Sequence, residues 1–369
     1  MPLHVLSHSP RRSQGHLAHG SIALILAGLL LVWLVSPAQS AENEPQARAP
    51  NIVLILADDL GFSDLECSVG EIPTLHLDAL ATQGTRYTQF YNCAVCVTTR
   101  AALMTGLYPR QGEGGLLRAN MVTLGEAMQA AGYRTAMTGK WHLGNKPPRR
   151  PVDRGFDEYY GLLDGCCNYF NPSQPDPEFY NGGHRRVFAN NQEQVLEFPP
   201  GYFTTDAFAA HASGVIADWS KGERPFFLHV AFTAPHFPLH APEEDIARYQ
   251  GKYNDGYFAL RDKRFRKQQQ LGLFDPQWKL SPADSKLGGW RYDYDIVPWE
   301  EVANRARELR RMEVYAAMVE RLDRGVGRIL EAIRKAGIEE NTVVMFLSDN
   351  EGCATLPADL AGMKAYNQE

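Results

Sequence analysis

The chain has 369 residues, 44% hydrophobic and 22% charged, with a formal net charge of −6. That composition excludes collagen-like and disordered chains and suits one large α/β domain or two smaller ones. The acidic balance offers no electrostatic footprint for a nucleic acid.

The first forty residues form a targeting pattern. Arg11 and Arg12 precede an apolar run from Ile22 to Val35, followed by the small-residue pattern Pro37-Ala-Gln-Ser-Ala41. The run has 14 residues, whereas a bilayer span needs about 20. A signal peptide over residues 1–40 is therefore expected, giving an exported, periplasmic or extracellular protein with no stable membrane span. An uncleaved anchor is the alternative. Residues 41–50 read as a linker and residues 51–369 as the folded portion. Six cysteines in an exported chain are compatible with disulfides. Cys166 and Cys167 are adjacent and ill placed to pair with each other, and no thioredoxin-like pattern surrounds Cys93-x-x-Cys96.

Asn51 to Ala57 is a continuous apolar run, as in a strand buried on both faces of a parallel sheet. It ends in Asp58-Asp59, two adjacent carboxylates that repel unless a divalent cation compensates them. Solvated loop acids or a helix cap remain the alternative. Thr74 to Gln83 reads as a short helix stopped by Gly84, and Arg86 to Tyr91 as an alternating strand. The chain then turns helical over Thr98 to Met104, with Cys96 at the junction and Arg100 one turn later. Free N–H groups and the positive dipole end of a helix lower a thiol's pKa. Cys96 thus reads as a nucleophile or its precursor and Arg100 as the cation holding it or its substrate. A buried, packed cysteine is the alternative.

Thr123-Leu-Gly-Glu126 is a capping box opening an amphipathic helix that Gly132 closes. Arg134 to Thr138 reads as a strand, and the loop Gly139-Lys-Trp-His-Leu-Gly144 after it presents Lys140 and His142. Pro147 to Pro200 shows little periodicity and reads as a long excursion shaping a cleft. Asp206 to Trp219 is helical again. Pro225 to Phe232 is a strand leading to His236, a candidate acid or base, while His229 and His240 read as structural. Tyr249 to Trp299 reads as polar and irregular, with a basic run at Arg261, Lys263, Arg264, Arg266 and Lys267. Such a run is a solvated face or a contact for an anionic polymer. Glu301 to Lys335 forms a long helix whose stripe includes Leu309, Met312, Tyr315 and Val319. Asn341 to Ser348 is the last strand, ending in Asp349-Asn350.

Five strand-like segments thus end in polar groups: Asp58/Asp59, Cys96/Arg100, Lys140/His142, His236 and Asp349/Asn350. Ligands of an open α/β sheet bind beyond the carboxyl ends of its strands, so all five sets are expected in one pocket. Three carboxylates and an amide oxygen suit Ca²⁺ or Mg²⁺ rather than Zn²⁺. Around a nucleophile, such an ion with Arg100, Lys140 and two histidines would hold a tetrahedral oxyanion, so hydrolysis of a sulfate or phosphate ester is expected.

At this point the chain resembles the type I sulfatases of the alkaline-phosphatase-like superfamily. The matching motifs are Ala57-Asp-Asp-Leu-Gly61, Cys96-x-x-x-Arg100 with Leu103-Met-Thr-Gly106, Gly139-Lys-Trp-His-Leu-Gly144, Ala234-Pro-His236 and Leu347-Ser-Asp-Asn350. The resemblance implies a mixed, mostly parallel central sheet with helices on both faces, and residues 51–369 as the N-terminal portion of a catalytic domain lacking its C-terminal subdomain. It implies one Ca²⁺ on Asp58, Asp59, Asp349 and Asn350, completed by the residue at Cys96. That cysteine would be oxidised to formylglycine by the formylglycine-generating machinery, its hydrated aldehyde attacking a sulfated small molecule or polysaccharide. By the same resemblance Arg100 steadies the hydrate, Lys140 binds sulfate, His142 assists release and His236 protonates the leaving oxygen. Two positions depart from the family pattern. Its maturation signal is Cys-x-Pro-x-Arg, where this chain has Thr98, and its Asp-Asn-Gly-Gly is here Asp349-Asn-Glu351-Gly. A non-catalytic relative that keeps metal and anion binding, and a phosphoester or phosphonate hydrolase of the same superfamily, are the alternative readings.

Overall fold

Alternation along one buried strand organises the molecule. In the computed structural model, which describes residues 48–111, 117–178, 181–283, 286–288 and 293–353, β1 (Asn51–Asp58) lies between two parallel neighbours. Val53, Ile55 and Ala57 face one hydrophobic core, while Leu54 and Leu56 face a second on the opposite side. Each fully buried aliphatic side chain contributes about 1.5–3 kcal/mol relative to exposure. The unbroken apolar run is therefore what a strand covered on both faces requires.

Next come α1 (Leu75–Gln83), α2 (Cys96–Thr105) and α3 (Leu124–Ala130), the last with the expected capping box formed by Thr123 and Glu126. The strands β2 (Arg134–Gly139), β3 (Glu158–Leu162), β4 (Phe188–Asn190) and β5 (Glu193–Gln194) follow. Then come α4 (Thr204–Trp219), β6 (Phe226–Pro235), the short α5 (Glu243–Ile246) and α6 (Gly256–Gln270). A small hairpin of β7 (Lys286–Gly288) and β8 (Asp293–Asp295) precedes α7 (Arg305–Lys335) and β9 (Thr342–Ser348). The main sheet runs β5-β4-β3-β2-β6-β1-β9, parallel from β3 to β9 and antiparallel at β4 and β5. Helices α4 and α7 cover one face, where Phe208, Ala212, Val319 and Leu322 meet β1 and β6. On the other face Ala101 and Met104 of α2 pack with Met137, Trp141 and Phe227.

Three expectations are corrected. Arg86 to Tyr91 is not a strand. Tyr87, Phe90 and Tyr91 are 72%, 60% and 84% exposed, so its alternation packs neither face, and it has no ladder partner among the described residues. The excursion from Pro147 to Pro200 carries β3, β4 and β5, each too short to show a period. The segment from Tyr249 to Trp299 contains α6, whose polar composition hid its helical spacing because only Gly256 and Gln268 in it are buried. The expected signal peptide and residues 41–47 of the linker lie outside the described residues. Among the described residues no helix is long and apolar enough to cross a membrane.

Candidate active site

The carboxyl ends of β1 and β9 lie side by side, with Ala57 paired to Ser348. Hydrogen bonds then stitch the two following loops together. Asp59 N–H donates to Asp349 Oδ1 at 3.3 Å and Leu60 N–H to Ser348 Oγ at 3.1 Å. Phe62 N–H donates to Glu351 Oε2 at 3.0 Å, and Asn350 Nδ2 to Asp59 Oδ1 at 2.5 Å. Glu351, the extra carboxylate beside the metal motif, thus spends itself on backbone. Asp59 adopts φ 62°, a left-handed conformation that a short polar side chain tolerates better than most.

Two cations close the other side. Arg100 on α2 is 2% exposed; its Nε and Nη2 donate to Asp349 Oδ2 at 3.0 and 2.8 Å, and Nη1 to the Lys140 carbonyl at 2.7 Å. Lys140, fully buried after β2, donates through Nζ to Asp58 Oδ2 at 2.5 Å. Its position depends on Gly139, at φ 108°, where a Cβ would sit 1.9 Å from the Ala231 carbonyl oxygen of β6. A bulkier residue would part β2 from β6 where Lys140 N–H donates to that same oxygen at 2.7 Å.

Three buried carboxylates against two cations leave open oxygen valences. Asp58 Oδ1 and Asn350 Oδ1 are buried without a hydrogen-bond donor, and Arg100 Nη2 comes only to 3.5 Å of the former. Burial first, and Asp58 second, push the Asp349 carboxyl up to about 6. Asp58, Asp59 and His236 place ligand atoms within 4.8 Å of one another. Unpaired buried oxygens among crowded carboxylates fit a hard divalent cation.

Cys96 begins α2, behind Val95, whose side chain makes no cap bond. Its Sγ lies 3.4 Å from His142 Nδ1. Against the lowering expected at a helix start, burial pushes the Cys96 thiol up, and the pull of Lys140 and Arg100 is opposed by Asp58 and Asp349. Arg100 hydrogen-bonds Asp349 and the Lys140 carbonyl rather than the sulfur, on which it acts only through its charge. His142, at φ 60°, is pushed down to about 2 by burial and then by Lys140 and Arg100, so it stays neutral. Its Nε2 lies against Gly165, where a Cβ would approach to 2.7 Å. His236 Nδ1 donates to the Phe237 carbonyl at 2.6 Å, which leaves Nε2 facing Asp59 Oδ2 at 3.5 Å.

All five polar sets therefore meet in one place, although the Cys96 set arrives from a loop rather than from a strand. The two histidines read as structural are buried in packing positions: His229 Nδ1 donates to the Leu54 carbonyl, and His240 Nδ1 accepts from Tyr169 N–H. None of the six cysteines is in a disulfide. Two supporting residues were not foreseen. Tyr315 belongs to the core stripe of α7, yet its hydroxyl donates to Asp64 Oδ2 at 2.6 Å and lies 3.3 Å from the Asp59 carbonyl oxygen. Tyr169 directs its hydroxyl at the Thr233 and His236 carbonyls, at 2.6 and 2.8 Å. Neither carries a local signal, since an aromatic residue at helical or loop spacing reads as core.

This arrangement has relatives. Residues 50–355 match the family model described as Sulfatase. An uncharacterised sulfatase of Schizosaccharomyces pombe is 34% identical over 340 residues, covering 84% of this chain and 58% of that protein. The arylsulfatase of Klebsiella aerogenes is 33% identical over 345 residues, 88% of this chain and 70% of that protein. The crystal structure of Ps i-CgsB in complex with k-i-k-neocarrahexaose superimposes with a TM-score of 0.62 at 29% identity, over 84% of this chain and 60% of that one. The chain thus spans between 58% and 70% of the length of these relatives. Matched over most of its length and carrying the converged site described above, the chain belongs to the sulfatase family.

Proposed function

We propose that this chain hydrolyses sulfate esters, carried on a carbohydrate or an aryl group, in the pocket at the carboxyl ends of β1, β2, β6 and β9. On this reading residues 51–369 are the catalytic portion of an exported protein. One observation carries it: buried oxygens of Asp58 and Asn350 stand without donors beside two buried cations and a cysteine at a helix start. A site that collects hard oxygen donors and cations around one nucleophilic position is built for a tetrahedral oxyanion.

Asp58, Asp59, Asp349 and Asn350, with the group at position 96, would hold one Ca²⁺, which binds anionic oxygen and offsets charge shifted onto the leaving group. Formylglycine made from Cys96 by the maturation machinery would supply a hydrated aldehyde as the nucleophile. The chain's own side chains do the rest. Arg100 donates to Asp349, which favours its carboxylate over the acid against the push of burial and Asp58, and anchors the Lys140 backbone. Lys140, paired with Asp58, adds a fixed positive charge where sulfate oxygens would lie. His142, whose Nδ1 lies against the group at position 96, is placed to take a proton from that group as sulfate is released. His236, its Nδ1–H donated to a carbonyl, presents Nε2 to the leaving oxygen and, when that nitrogen is also protonated, gives the proton to it.

The test is turnover of 4-nitrophenyl sulfate by protein co-expressed with a formylglycine-generating activity, alongside intact-mass analysis of the peptide holding position 96. Sulfate release that tracks the aldehyde fraction, and is lost in Cys96→Ala, is expected. Aldehyde-bearing, calcium-loaded protein that releases no sulfate from aryl or sugar esters overturns the reading in favour of a binding protein. Faster turnover of phosphate than sulfate esters overturns it in favour of a phosphohydrolase.

A further inference from the structure

Beside the reaction site lies a second cavity of about 570 Å³, lined by Ser63, Arg261, Arg264, Phe274, Lys279 and Ser281 among others. It is formed where α6 faces the segment 274–281. Among the described residues no carboxylate lines it, and the three cations among them differ in their freedom. Arg264 is committed, donating to Glu71, Asp64 and Ser63. Arg261 uses Nη2 on the Ser281 carbonyl at 3.0 Å and on Ser281 Oγ at 2.8 Å, which joins helix to segment across the cavity. Lys279 is exposed.

An aromatic row runs along the same region. Phe62 and Phe274 stack at 6.0 Å between centroids, and Phe274 and Trp278 at 5.7 Å, with interplanar angles of 29° and 28°. The two ends of the row are open, Phe62 at 40% and Trp278 at 57% exposure. Flat apolar faces beside hydroxyls and cations are the complement of a sugar ring that carries an anionic group, with the apolar face of the ring on the aromatics and its charge on Lys279 and Arg261.

The cavity is coupled to the reaction site by chain and by hydrogen bonds. Ser63 in its wall is four residues beyond Asp59, so their Cα atoms are no more than about 14 Å apart. Phe62 N–H is held by Glu351. Asp64 accepts from both Arg264 and the Tyr315 hydroxyl that reaches the Asp59 carbonyl. One extended oligosaccharide spans that distance. We infer that this cavity is a subsite for a second, anionic sugar unit of an oligosaccharide substrate, set apart from the unit whose ester is cleaved; the inference rests on the sulfate-ester reading above.

The test compares matured wild type, Lys279→Glu and Trp278→Ala on a sulfated carrageenan hexasaccharide and on 4-nitrophenyl sulfate. Both side chains are exposed, so neither change removes core packing. Each variant is expected to lose about tenfold in kcat/KM on the hexasaccharide, mainly through KM, the worth of one charge-assisted or stacking contact. Turnover of the aryl ester, too small to reach the cavity, stays at the wild-type value. An equal fall on both substrates, or none on either, overturns the subsite. Calorimetric binding of the hexasaccharide separates this inference from its premise. If wild type cleaves no sulfate ester yet binds the hexasaccharide, and Lys279→Glu loses that binding, the reaction assignment fails and the subsite stands. Equal binding of a desulfated hexasaccharide, or no binding heat at all, overturns it.

Discussion

Thr98 shows how much rests on one side chain. It occupies the third position of α2, and its hydroxyl shares one hydrogen between the Val95 and Cys93 carbonyls, at 2.8 and 3.1 Å. This shared bond braces the turn that presents Cys96. The first backbone bond of the helix is donated by Thr99, to Val95, so the amide of Thr98 is one of the orphan donors of a helix start. Proline is tolerated there because it removes a bond that does not exist. Thr98→Pro forfeits this one shared hydroxyl bond, worth about 0.5–1.5 kcal/mol, and recovers about 0.4–1 kcal/mol from a stiffer unfolded chain. The variant is expected to fold with a stability loss below about 2 kcal/mol by urea titration. It also restores the family's maturation pattern, so a higher aldehyde fraction at position 96 is expected by mass spectrometry. Unchanged aldehyde with an intact fold would show that the machinery does not read this position. The charged members of the site other than Arg100 were legible from sequence because each stands at the abrupt end of an apolar run, whereas Arg100 was read from its spacing to Cys96. Tyr169 and Tyr315 were not, since what matters in them is a hydroxyl pointing out of an otherwise apolar ring.

Helix α1 is anchored by another element rather than by its own sequence. Its N-cap, Thr74, makes no cap bond, and its hydroxyl donates instead to Asp78. The first-turn amides of His76 and Leu77 donate to Asp323 of α7, at 3.2 and 2.8 Å. A carboxylate at a helix N-terminus meets both orphan donors and the positive dipole end. Here it joins two helices 246 residues apart in sequence. Asp323→Ala is therefore expected to cost about 1–2 kcal/mol, read as a lower urea midpoint with an unchanged slope. Asp323→Asn, which keeps one acceptor, should lose less. The stripe of α7 was readable from its spacing, yet the partner of Asp323 was not, because a buried acid inside a helix looks like any solvated one. The same limit explains α6 and the short strands β3 to β5. Sequence periodicity reports burial of one face, and α6 buries almost none, while strands of two to five residues are too short for a period to emerge.

Across the whole molecule, the ends of β1 and β9, the loops after β2 and β6, and the start of α2 meet around carboxylates that the protein's own cations do not fully offset. Without a metal ion this convergence opposes folding. Burial and the neighbouring Asp58 raise the Asp349 carboxyl to about 6, against about 3.9 for an unfolded aspartate. A carboxyl raised in the folded state contributes stability that is present below pH of about 4 and lost as pH rises through about 6. A bound divalent cation reverses the order, because it favours the ionised carboxylate and is excluded by its proton. Calcium should therefore stabilise the fold strongly at pH 7 and weakly at pH 5. At a hundredfold excess over its Kd, a ligand specific for the folded state adds about 2.7 kcal/mol. Chelation at pH 7 should lower the Tm by several degrees, with calcium restoring it, and the same addition at pH 5 should move it much less. Asp58→Asn removes a metal-facing charge and the partner of Lys140 together, so that variant should lose the calcium response at both pH values. A calcium-induced shift that is the same at pH 5 and pH 7, or that survives Asp58→Asn, would place the ion somewhere other than between these strands.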